Sequence, residues 1–117
     1  MIHDFTPGDF LIFQIESGFA LLRVLDVDKA SDVWHVAAYK DFFLDPQMAD
    51  DALDNPSELS LDRAHLALTN HAFENTQVAL LRNVPLSEND LAGYEDWKRA
   101  GLQEVHDRSI RLLLGLR

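Results

Sequence analysis

The stretch from Phe5 to Phe43, FTPGDFLIFQIESGFALLRVLDVDKASDVWHVAAYKDFF, constrains the fold more than any other part of the chain. It reads as three consecutive β-strands joined by tight turns. Thr6-Pro7-Gly8-Asp9 is a turn, with Pro fixing φ and Gly reversing the backbone without a Cβ clash. Phe10 to Ile15 then places Phe10, Ile12 and Gln14 on one face and Leu11, Phe13 and Ile15 on the other. Glu16-Ser17-Gly18 suits a hairpin with Gly at a positive φ. The second strand, Phe19 to Val27, is apolar on both faces and is interrupted mainly by Arg23 and Asp26. After a turn at Lys29 to Asp32, the third strand runs from Val33 to Phe42. It sets Trp34, Val36, Ala38 and Phe42 on one side, with Val33, His35, Ala37, Tyr39 and Asp41 on the other. Strands apolar on both faces need cover on both, or a curvature that closes the sheet on itself.

The pattern changes at Asp45. Asp45-Pro46 is an N-cap followed by Pro at the first helical position, and it predicts a short helix from Pro46 to Leu53. Strand-like sequence returns at residues 65–73 and 76–84, where a second hairpin is expected. Ser87 with Asp90 forms a capping box, flanked by a Leu86–Leu91 hydrophobic staple, and opens a helix from Glu88 to Ala100 that Gly101 ends. A further helix is expected over 102–114, its apolar end at Ile110, Leu112, Leu113, Leu114 and Leu116 buried on the sheet or in a second copy. The expected architecture is α+β: a curved antiparallel sheet or small barrel of about five strands, a short inserted helix and two C-terminal helices. At 117 residues this is one domain.

Charge narrows the range of partners. Ten basic residues against twenty acids give a net charge of −10, which argues against binding a phosphate backbone. Seven of the acids, Asp41, Asp45, Asp50, Asp51, Asp54, Glu58 and Asp62, lie between residues 41 and 62, where there is no Lys or Arg. This acidic segment is the expected contact surface for a basic protein partner. No apolar run approaches the ~18 residues of a membrane span. Absent cysteines, and a Met1-Ile2-His3-Asp4 start without a basic, apolar leader, lead us to expect a cytoplasmic protein.

The motifs that carry chemistry are missing. Without Cys there is no thiolate ligand or nucleophile, and there is no HExxH. His65 and His71 on one strand would stand about 20 Å apart, too far for one ion. The acids lack the alternate spacing and central Gly of a calcium loop. No serine sits in GxSxG, and no glycines form GxGxxG or a Walker loop. No cofactor or metal is therefore expected, and the chain reads as non-catalytic. Two alternatives stay open: a ligand-binding or enzymatic pocket near His35, Tyr39 and Asp41, and a homo-oligomeric subunit joined through the C-terminal helix.

Gly8-Asp9 leading into an apolar strand, then Gly18-Phe19 followed by Leu22-Arg23-Val24-Leu25, resembles SH3-like small barrels of the bacterial immunity-protein type. The resemblance covers about a third of the chain. It implies a non-catalytic protein that blocks a toxin, and toxins that bind phosphates are themselves basic.

Overall fold

Three strands form at the N-terminal end, as expected: β1 (Asp9–Ile15), β2 (Gly18–Asp28) and β3 (Val33–Phe43). The molecule is described by a computed structural model covering residues 4–116. After β3 come helix α1 (Pro46–Ala52), a 3-10 turn (Pro56–Glu58), strand β4 (Leu61–Thr69), helix α2 (Asn70–Glu74) and strand β5 (Val78–Asn83). A second 3-10 turn (Asn89–Leu91) leads into α3 (Ala92–Arg99), and the one-turn α4 (Ile110–Leu113) ends the fold. All strand pairings are antiparallel, in the order β4-β3-β2-β1-β5, and the sheet stays open with β4 and β5 as its edges.

Because the strands are apolar on both faces, the sheet carries two cores. One face gathers Leu11, Phe13, Leu22, Val24, Trp34, Val36 and Leu68 under Phe73 of α2 and Ile110 of α4. The other gathers Phe10, Ile12, Leu21, Leu25, Ala37 and Tyr39 under Ala49 and Leu53 of the α1 segment and Tyr94 of α3. Each helix that follows the meander therefore covers one of these faces.

Local signals form as their chemistry requires. Asp45 accepts from the Met48 amide at 2.8 Å and caps α1. The Ser87 amide donates to Asp90 Oδ2 at 2.9 Å while the Asp90 amide donates to Ser87 Oγ at 3.2 Å, a capping box completed by Asp. At the β1–β2 turn Gly18 has φ +152°, and a Cβ there would lie 2.4 Å from the Phe43 carbonyl oxygen, so only glycine fits.

Two expectations are corrected. The second hairpin does not form. Thr69 accepts from the Ala72 amide and starts α2 inside the stretch read as a strand, and β5 pairs with β1 at the far edge rather than with β4. The helix expected over 102–114 shrinks to Ile110–Leu113. Before it the chain is non-helical, and His106 makes an isolated parallel bridge to the β4 edge, its amide donating to the Ala67 carbonyl and the Thr69 amide donating to that of His106. Asp107 accepts from Thr69 Oγ1 at the end of β4. An edge strand with unpaired amides is a template for aggregation, so covering β4 outweighs the helical spacing. Of the terminal leucines, Leu113, Leu114 and Leu116 pack on the first core, while Leu112 is 70% exposed.

Candidate functional sites on the α1 and α3 face

The acidic segment divides into carboxylates that pair with a basic side chain or cap a helix and carboxylates that line a depression without a basic side chain in its walls. Arg82 on β5 reaches across to α1 and its end, its Nε 3.0 Å from Asp50 Oδ1 and its Nη1 2.9 Å from Asp54 Oδ1, with Nη2 donating to the Asp50 carbonyl. The bond from Arg82 Nε to the Asp50 side chain holds that carboxyl below its ordinary range, and both acids push the Arg82 pKa upward. Asp45 is the α1 cap, and Asp62 lies 4.0 Å from Arg63 at the surface.

Asp41, Asp51 and Glu58 line one shallow depression of about 240 Å3, with Phe43, Ala52, Asn55 and Leu59 completing its walls. No Lys or Arg lines it. Asp41 accepts from the Ser60 amide at 2.7 Å and Asp51 from the Gln47 amide group at 2.9 Å, which orients two of the three carboxylates without neutralising them. Among the described residues no three His, Asp or Glu side chains come close enough to share a metal ion.

His35, Tyr39 and Asp41 sit on the same side of β3 but open onto three different surroundings. Asp41 faces the acidic depression. Tyr39 lines a second, deeper pocket of about 450 Å3, together with Arg23, Leu25, Ala37, Leu59, Val84, Ser87, Asn89 and Asp90. Leu59 belongs to both, so the two concavities are neighbours.

Arg23, the polar interruption in β2, is the floor of this pocket and is 4% exposed. Its Nη2 donates to the carbonyls of Val84 (2.7 Å) and Pro85 (3.2 Å), its Nη1 meets Asp90 Oδ2 at 3.2 Å, and the guanidinium lies over the Phe10 ring at 4.6 Å. The connection from β5 to α3 is thus held by one buried cation. Burial opposes the Asp90 charge, but bonds from Ser87 and the nearby Arg23 outweigh it and keep that carboxyl below its usual range. Burial raises the Tyr39 hydroxyl pKa, against the pull of the adjacent Arg23.

His35 lies further along β3, in an aromatic stack. Its Nδ1 is 2.9 Å from Nε2 of His65 on β4, so one ring nitrogen donates to the other. Tyr94 lies against both imidazoles at 4.3 and 5.3 Å between centroids, Trp97 stands at their edge, and Lys98 caps the Tyr94 ring. The Tyr94 hydroxyl donates to Asp26 at 2.8 Å. Gly93 permits this approach, since a Cβ there would lie 2.9 Å from the Ala64 methyl on β4. Burial, reinforced by the His35 and His106 charges, lowers the His65 pKa to about 4, and burial lowers that of His35 as well.

This cluster ties α3 to the sheet and makes its docking sensitive to acid. An unfolded imidazole takes its proton near pH 6.5, whereas the folded pair resists it. The stabilisation from neutral histidines is therefore complete above pH 6.5 and is lost as pH falls towards 4. The expected loss over that window is about 2–3 kcal/mol for His65, allowing for its partial exposure. Denaturant unfolding of the wild type and of His35→Gln/His65→Gln between pH 7 and 4.5 checks it: the double variant should show a much flatter pH dependence.

Compared with known protein families, curated proteins and solved structures, the chain matches none. The sequence reading reached the acids, Tyr39 and His35. The pairing of His35 with His65, the ion pair of Arg23 with Asp90 and the role of Tyr94 left no signal in the sequence between the partners. Arg23 did leave a signal, a charged residue in the middle of a strand apolar on both faces.

Proposed function

We propose that the protein is a non-catalytic binding module that receives a basic protein partner on its acidic face, in the manner of an immunity-type inhibitor set against a cationic toxin. The observation that carries this reading is the depression formed by Asp41, Asp51 and Glu58. It is large enough for one Lys or Arg side chain and has no cation of its own, although nearby Asp50 and Asp54 do have one in Arg82. Three carboxylates lining one depression with no Lys or Arg in its walls attract an incoming cation. Phe42, Leu44 and Met48, exposed in the same segment, would add apolar contact to the charged rim. Among the described residues five of the basic side chains, Arg23, Arg63, Arg82, Lys98 and Arg99, are in ion pairs with acids of the chain, which reduces what is left to hold nucleic-acid phosphates.

Titration of the labelled protein with an arginine-rich peptide, followed by NMR, tests the site. The expected result is saturable shifts centred on Asp41, Asp51 and Glu58, weakening steeply as salt is raised from about 0.05 to 0.5 M. Shifts spread over all exposed acids alike would sink the proposal. Capture of basic proteins from a native lysate at low and high salt would then identify the partner.

A further inference from the structure

The two edges of the sheet are finished differently. The outer side of β4 receives the His106 bridge near its end, and its open first half carries Asp62 and Arg63, charges of the kind that keep a stray strand away. β5 has neither protection. Among the described residues no other strand or turn bonds its outer side, and residues 76–81 hold no charge and no Pro. Arg82, the cation of the strand, is turned onto Asp50 and Asp54 of the α1 segment. Every second residue of an edge strand aims its amide and carbonyl away from the sheet, so β5 is a template for a further strand. The register slips only beside Leu81, and Val78, Ala79 and Leu80 lie in plain register opposite Phe13, Ile12 and Leu11. Leu80 is 52% exposed and lines a groove of about 980 Å3 with Phe13, Ile15 and Val78. The charged side chains of that groove, Glu16 and Arg111, are opposite in sign.

We infer that the occupant of this edge is a second copy of the chain, paired β5 to β5 about a two-fold axis. An antiparallel register centred on Ala79 sets Val78 of each copy beside Leu80 of the other and joins the two five-stranded sheets into one. Pairing β5 with β4 of another copy is blocked, because β4 is partly covered and carries charge at its open end. The two-fold pairing uses up the open edge of both copies. Assembly therefore stops at the dimer, and an edge that would otherwise invite aggregation is closed. Charge points the same way. Two chains of net charge −10 repel, so they meet best where the surface is locally neutral, and along this groove the acid and the base cancel. The three carboxylates of the acidic depression lie outside it and stay free for their own partner.

Sedimentation equilibrium of the full chain from about 5 to 500 µM reads the association directly. The expected result is a monomer–dimer equilibrium that tightens as salt rises from about 0.05 to 0.5 M, because screening removes the repulsion between two acidic chains. Docking of a basic partner weakens over the same range, so the two interactions move in opposite directions. Leu80→Lys sets a charge against its own copy at an exposed position, and should weaken the dimer about tenfold or more while leaving the circular dichroism unchanged. Hydrogen exchange of the wild type is the second readout. Amides of residues 78–81 should slow as concentration rises, while those of β4 should not. The inference is overturned if the chain stays monomeric throughout, if oligomers grow beyond the dimer, or if exchange in β5 ignores concentration. It is equally overturned if folded Leu80→Lys associates as tightly as wild type, or if Leu112→Asp, at the exposed side of α4, is the variant that abolishes the dimer.

Discussion

Replacing Trp34 with alanine should cost about 3–5 kcal/mol of stability, the largest loss expected from any single truncation in this fold. Trp34 is fully buried on β3, stacks on Phe73 at 4.0 Å with planes only 5° apart, and donates from Nε1 to Asn70 Oδ1 at 3.1 Å. These contacts join the meander to α2, which sits between β4 and the crossing to β5. Alanine removes the ring, leaves a cavity that the two-layer packing cannot collapse around, and strands the Asn70 acceptor. Trp34→Phe retains an aromatic partner for Phe73 and loses the Nε1 donor, so it should cost roughly 1–2 kcal/mol. Urea unfolding of the three proteins reads both numbers. An alanine variant within about 1 kcal/mol of wild type would mean that α2 is not anchored there.

Arg23→Ala should cost nearly as much, about 3–4 kcal/mol, through a different mechanism. The guanidinium satisfies the carbonyls of Val84 and Pro85, pairs with Asp90 and covers the Phe10 ring. Without it the two carbonyls lose a donor and Asp90 loses its cationic partner. Asp90 is one-third exposed and regains water, which keeps the cost towards the lower end of the range for a broken buried pair. The loss should be concentrated in the connection from β5 to α3. Hydrogen exchange at the backbone amides of Asp90 and Leu91, which donate to Ser87 Oγ and the Glu88 carbonyl, should accelerate more than at β2. Arg23→Lys keeps the charge but lacks the fork that reaches two carbonyls and a carboxylate at once, so it should recover only part of the stability.

These two residues also mark how far the sequence could be read. Trp34 was legible as a core anchor because alternation along β3 assigns its face directly. The caps at Asp45 and Ser87 were equally legible, since each depends on atoms within three residues. What escaped is governed by contacts distant in the chain. The partner of β5 is β1, and Asn83 pairs with Asp9, a choice that no local periodicity encodes. The stretch over 102–114 has helical spacing, yet His106 bridges to the open edge of β4 and only Ile110–Leu113 is helical. His35 and His65 lie 30 residues apart, so neither signals the other. In the acidic segment the sequence shows seven similar charges. Only the position of Arg82 separates Asp50 and Asp54, which help hold α1 to the sheet, from Asp41, Asp51 and Glu58, which line a depression with no Lys or Arg in its walls.

That division is the central claim, and a charge-matched comparison tests it most directly. Asp41→Asn/Asp51→Asn/Glu58→Gln removes three negative charges from the depression. Glu16→Gln/Asp32→Asn/Glu88→Gln removes three from exposed positions elsewhere, leaving the same net charge. Isothermal titration of both with the arginine-rich peptide at about 0.1 M salt separates a site from a general field. The account predicts that the first variant loses at least tenfold in affinity while the second stays within about threefold of wild type. Equal losses in the two would contradict it, because the peptide would then be sensing net charge and not the three carboxylates of the depression.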